Sequence, residues 1–234
     1  MLNRLRKVVA SFAPRRTGAG QAFGVPRDAT RTVAFSDAVF AIAVTLLVLE
    51  IHPPQNSRHL LHGLAALWPS YLAYVITFLL IGNVWANHHV MFDHIHAADR
   101  AVLLLNTLLL MDIAFLPFAA SVLAGAFRAG HGQRTAVVFY GIALELAPIF
   151  FNIIWEYARR DRRLIDPGTD TAAATAISRR YRLALAWIGT GTVLGGLLPI
   201  LGVVVIAAFI LSYWLPIQGE VASMAGHGDA DPPG

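Results

Sequence analysis

Residues Arg31 to Glu50 read RTVAFSDAVFAIAVTLLVLE. After the Ser36-Asp37 pair, the twelve residues Ala38–Leu49 carry no polar group except the Thr45 hydroxyl. Few folded environments accept such a segment. A helix this apolar, with one acidic group near its end, suits hydrocarbon better than a soluble core. Five further apolar segments follow it. The whole chain of 234 residues is 56% hydrophobic and 14% charged, where soluble domains carry about 25% charged residues. An all-α integral membrane protein with one membrane domain is expected.

Span 1 covers about Val33–Ile51 and stops at Pro53-Pro54. Span 2 runs from about Leu67 to His88 and span 3 from about Ala98 to Val122, with Pro117 near its far end. Span 4 covers about Thr135–Trp155. Spans 5 and 6 share Leu183–Pro216, with a turn in Gly195–Pro199, and each is shorter than the ~20 residues that cross a bilayer. Six spans divide the chain into a basic flexible arm (1–30), a membrane domain (31–217) and a Gly/Ala/Asp/Pro-rich disordered tail (218–234). Residues 8–14 form too short an apolar core for a cleaved signal.

The basic residues test the orientation. Seven lie in residues 1–31, Arg100 follows span 2, and seven more lie in 159–182, all on one side of a six-span arrangement. Only Arg58, Arg128 and Arg134 fall on the other side. The side rich in Arg and Lys is cytoplasmic, which places both termini inside a multi-pass plasma-membrane protein. Both clusters flank apolar segments, so the formal charge of +4 reads as orientation and nucleic acid is not an expected partner. The absence of cysteine excludes disulfides and thiolate ligands.

Within span 1, Ala38, Ile42, Thr45 and Leu49 follow at steps of four, three and four and share one helix face, with Leu46 beside it. Against lipid, the Thr45 hydroxyl would simply bond back to its own helix. Around a shared axis, the same face would form apolar rings at Ile42 and Leu49, which gate by dewetting, with a hydroxyl ring between them. Arg31, Ser36 and Asp37 at the start of the helix read either as an ordinary snorkelling and helix-start set or as a network with other helices. His88 or His89 at the end of span 2 and Asp112 in span 3 are the available partners. Glu50 would form an acidic vestibule if copies surround an axis. Glu145, with Asn152 and Glu156 on nearly its face, offers a second intramembrane acid. His88, His89, Asp93, His94 and His96 invite a metal reading, but the HExxH pattern is absent and no metal or cofactor is expected. No GxSxG, Walker loop or GxGxxG motif appears, and an enzyme is not expected.

The Arg31-x-x-x-Phe35-Ser36-Asp37 motif, followed by AVFAIAVTLLVLEI, resembles the signature of the prokaryotic relatives of the lysosomal potassium channel transmembrane protein 175. The Trp85-Ala86-Asn87-His88-His89 end of span 2 and the six-span outline fit as well, and the similarity covers about residues 27–217. The resemblance implies a homotetrameric, potassium-permeable cation channel in the lipid bilayer, with the first helix of each subunit lining the pore. It implies a constriction at Ile42, Thr45, Leu46 and Leu49, Ile42 standing where many relatives carry Leu. It also implies that Arg31, Phe35, Ser36 and Asp37 pack against His88 or His89 and Asp112. Potassium is the permeant ion, and no TVGYG-like loop is present. A proton-coupled secondary transporter and a membrane scaffold or metal-binding protein are the alternatives.

Overall fold

The computed structural model describes residues 27–54, 59–160, 164–166, 168–169 and 171–214. The arm expected over 1–30, except for its last four residues, and the tail expected over 218–234 lie outside them, as do Arg58, Arg162 and Arg163. Seven α-helices are present among the described residues: α1 Thr30–Leu46, α2 Leu60–Ala66, α3 Trp68–His94, α4 Arg100–Ala129, α5 Gln133–Arg160, α6 Thr171–Leu197 and α7 Pro199–Ala208. A 3-10 turn, Leu47–Glu50, extends α1, and another, Phe209–Trp214, follows α7. Arg27–Asp28 (β1), two residues of the expected arm, pairs antiparallel with Ala97–Ala98 (β2).

Among the described residues, four helices are long and apolar enough to cross a membrane: α1 with its 3-10 turn (21 residues), α3 (27), α4 (30) and α5 (28). At 1.5 Å per residue the first of these is about 30 Å long, the thickness of the hydrocarbon layer. The α3, α4 and α5 helices all run beyond the expected spans, to His94, Ala129 and Arg160, because the segments that follow those spans are also helical. The α6 helix is 27 residues long, longer than the expected fifth span. It starts at Thr171 and takes Arg179, Arg180 and Arg182 out of the expected loop. Helical i→i−4 bonding continues through arginines whose long side chains reach polar surroundings.

The ends of the helices follow from local chemistry. Asp99 caps α4: one carboxylate oxygen accepts from the Ala101 and Val102 amides at 3.0 Å each, and the other accepts from the Tyr157 hydroxyl at 2.6 Å. Gly130 ends α4 at φ 74°, a left-handed conformation that costs glycine nothing. Leu198 is extended and Pro199 opens α7, which makes the expected turn after Gly195-Gly196 a sharp reversal. The α6–α7 hairpin is tight because its seam is glycine. A Cβ on Gly202 would strike the backbone of Gly195 and come within 2.8 Å of the Gly191 carbonyl.

The core lies between α3, α4 and α5. It includes Ile81, Leu109, Ile113, Leu116, Val137, Ile154 and Trp155, all at most 1% exposed. A buried Thr77–Tyr140 hydroxyl pair at 2.8 Å joins α3 to α5. The first helix packs on α4 and α3 through one stripe only.

Candidate functional site: the first helix and its anchor

That stripe is Ser36, Phe40, Ala43 and Leu47, which are all buried. Their spacing of four, three and four puts them on one face of the helix. Ala38, Ile42, Thr45 and Leu49 repeat the spacing two residues later and are all exposed, Ile42 at 58% and Leu49 at 68%. Leu46 is exposed beside Thr45. Only 22% of the α1 span is buried within the chain, against 44%, 44% and 50% of the other three. The Thr45 hydroxyl donates to the Ile42 carbonyl at 2.8 Å, which fixes its hydrogen inward along the helix and leaves its oxygen lone pairs outward. Past Leu46 the tighter 3-10 winding turns each residue ~20° further than an α-helix would, so Val48 joins Leu49 on the exposed side. Glu50 is half-buried at the end of this turn, and His52 Nδ1 donates to its carbonyl at 3.0 Å.

Polar contacts set the rotation of α1. Ser36 Oγ donates to the Thr32 carbonyl at 2.8 Å and accepts from Asn106 Nδ2 at 3.0 Å. The Asn106 carbonyl oxygen accepts from His88 Nε2 at 3.0 Å. One amide thus bridges α1 to α3 from its place on α4. His88 is fully buried among aromatic rings, with Phe92 at 4.6 Å and Phe40 of α1 at 5.4 Å between centroids. Alongside this chain of bonds, Asp37 Oδ1 accepts from Trp85 Nε1 at 2.8 Å, and the Trp85 ring lies 6.1 Å from that of His89.

Of the residues singled out in the sequence, Ser36 and His88 are brought together, and Asp37 sits one position along on the same anchor. His89 contacts it only through the Trp85 ring. Arg31 and Phe35 lie on the exposed face, Phe35 at 61%. Asp112 is buried on α4, six residues and about 9 Å of helix rise beyond Asn106. Neither of its oxygens has a hydrogen-bond partner among the described residues. Sequence reasoning missed Asn106. Its signal was an amide inside LLLNTLLL, a polar group that a lipid-embedded helix keeps only when another helix satisfies it.

The other intramembrane polar groups stay separate. Glu145 of α5 lies near Gly189 of α6, and its Oε2 is buried without a hydrogen-bond partner among the described residues. Asn152 donates to the Pro148 carbonyl at 2.8 Å. His94 Nδ1 donates to the Val90 carbonyl at 2.8 Å and its ring stands edge-on to Trp155. Among the described residues, no three His, Asp or Glu side chains converge as metal ligands.

The comparisons with known proteins bear on this helix directly. The family described as endosomal/lysosomal potassium channel TMEM175 matches residues 31–117, which hold α1 and the anchor. A Streptomyces collinus protein named as a potassium channel is 40% identical over 164 residues, 69% of this chain and 79% of that protein. The chain belongs to the TMEM175 family. A Chamaesiphon minutus relative, also named a potassium channel, is 38% identical over 80% of this chain and 87% of its own. The crystal structure of a Chamaesiphon minutus homologue titled lysosomal potassium-selective channel superposes with a TM-score of 0.71, at 35% identity, over 81% of this chain and 97% of that one. Human TMEM175, named as an endosomal/lysosomal proton channel, is 35% identical over 57% of this chain but only 28% of its own length. The chain is thus a multi-pass, all-helical membrane protein, and its TMEM175-family relatives are named for ion conduction and not for an enzymatic reaction.

Proposed function

We propose that this protein is a potassium-permeable cation channel whose pore is lined by α1 from each of four identical subunits. The observation that carries the proposal is the Ala38–Ile42–Thr45–Leu49 stripe. It faces away from its own chain while the opposite stripe is held by Phe40, Leu47 and the Ser36–Asn106–His88 bonds. A helix that needed only to sit in lipid would require no such fixed rotation. Around the axis, Ile42 and Leu49 form apolar rings that close by dewetting, and the outward oxygens of Thr45 stand in for ion hydration between them. Leu46 shares that wall, and Glu50 rings concentrate cations at the outer end. The last two apolar segments complete six spans, with both termini cytoplasmic in the plasma membrane, as the basic residues favour.

Potassium flux into liposomes carrying the purified full chain tests this reading. Ile42→Asn and Leu49→Asn should raise the leak and lower potassium-over-sodium discrimination. The chain contains no cysteine, so a water-soluble thiol reagent should block Ile42→Cys and spare Ala43→Cys. Unchanged flux in the Asn variants together with an inert Ile42→Cys would remove α1 from the conduction path. The Asp112 carboxyl, without a hydrogen-bond partner among the described residues, favours a second reading, proton-coupled transport. In that case Asp112→Asn abolishes flux driven by a pH gradient, whereas a passive pore keeps its potassium current.

A further inference from the structure

A cavity of about 540 Å³ lies between the C-terminal end of α5 and the N-terminal half of α6, away from the α1 face. That volume is within the ~300–1,000 Å³ of small-molecule sites. Arg159 and Arg160 line it from α5 and Arg182 from α6, with Glu156 as the one carboxylate among the described lining residues. Glu156 is 3.7 Å from Arg159 Nη1 and 3.6 Å from Arg160 Nε, so two of the three guanidinium groups pair with this one carboxylate. The position of Arg159 is set from below. The buried Ser178 hydroxyl accepts from Arg159 Nη1 at 2.8 Å and from Trp155 Nε1 at 2.9 Å, and donates to the Ala174 carbonyl at 3.1 Å. Arg182 Nε donates to the Ser178 carbonyl at 3.3 Å.

The negative end of the α5 dipole accounts for Arg159 and Arg160. It does not account for Arg182, which comes from the twelfth position of another helix to the same cavity. Nor does it account for a buried serine that orders one of the arginines. Toward the apolar body of α5, the same cavity is walled by Ile153, 45% exposed. One end therefore suits an oxyanion that accepts forked guanidinium bonds, and the other suits hydrocarbon. We propose that this cavity binds the phosphodiester headgroup of an anionic phospholipid, with an acyl chain lying along Ile153. A free phosphate would use the arginines but not the apolar wall. Basic pockets between membrane helices are suited to such headgroups.

Native mass spectrometry of the delipidated full-length protein after incubation with phosphatidylglycerol or phosphatidylcholine tests the site. The wild type should retain phosphatidylglycerol and not phosphatidylcholine, and equimolar glycerol 3-phosphate should fail to displace it. Arg160→Gln/Arg182→Gln should cut retention at least fivefold. Arg160→Gln alone, at a side chain 80% exposed, should cut it in a variant with no packing to lose. Glu156→Gln should raise retention, which a merely destabilised protein would not do. Arg179→Gln, outside the cavity lining, should leave it unchanged. Equal retention of both lipids, equal retention by all variants, or an equal loss in Arg179→Gln would overturn the proposal. Displacement by glycerol 3-phosphate would make this a soluble-anion site and would overturn it as well.

Discussion

Replacing Asn106 by Leu tests the account of α1 most directly. The substitution keeps the branched shape and the number of side-chain heavy atoms and removes the amide that accepts from His88 and donates to Ser36, both at 3.0 Å. In a water-soluble core, two buried polar groups left unpartnered would cost about 1–3 kcal/mol each. Inside a membrane the unfolded reference state also finds partners, and interhelical bonds average only ~0.6 kcal/mol with a maximum near ~1.7. The membrane figures govern here, because all three residues lie in spans. Two bonds then give a loss of about 1–3 kcal/mol in denaturant unfolding of the protein in detergent micelles. A Ser36→Ala/Asn106→Leu double-mutant cycle should show a coupling of about 0.6–1.7 kcal/mol. The functional consequence is rotational: with the bridge gone, the Ile42→Cys and Ala43→Cys positions should lose their contrast toward a water-soluble thiol reagent. A coupling below ~0.3 kcal/mol, within the error of independent sites, together with an unchanged labelling contrast, would mean that apolar packing of Phe40 and Leu47 alone holds the helix.

Gly202→Ala should destabilise the protein by about 1–3 kcal/mol by overpacking, since the new methyl meets the Gly195 backbone. Gly82→Ala, with nothing within 4 Å of the new carbon, should be neutral or stabilising by up to ~1 kcal/mol. Thermal unfolding of the two variants side by side separates packing from helix propensity. Tyr140→Phe removes the hydroxyl that pairs with Thr77; the pair is an interhelical bond between spans, so its loss should cost about 0.6–1.7 kcal/mol in denaturant unfolding. Asp99→Ala removes the α4 cap and the Tyr157 contact. It should cost about 1–2 kcal/mol, with hydrogen exchange of the Ala101 and Val102 amides accelerated first.

Much of the site was legible along the chain, for physical reasons that can be named. That Ala38, Ile42, Thr45 and Leu49 share one face of α1 could be read because a 3.6-residue period converts spacing directly into a shared face. The reversal near Pro199 could be read because glycine and proline act through their own backbone. The partner of Ser36 could not be read, because 70 residues separate it from Asn106 and any polar group on any span was equally eligible. Asp112 was one of the available partners, yet six residues of helix rise carry it past the anchor. Arg31 and Phe35 belong to the same short motif as Ser36, but the helix turns them to the opposite side.

The residue order by itself settled that this chain lives in a membrane, that Ala38, Ile42, Thr45 and Leu49 share one face of its first helix, and that its basic residues cluster beside apolar segments. Those properties come from local composition and helical period, which need no other part of the molecule. Tertiary structure alone decided which stripe is buried and which amide holds it. It also decided that arginines from α5 and α6 meet over Ser178. Each of these depends on distances between helices, and a distance between helices is fixed only when all their side chains pack at once.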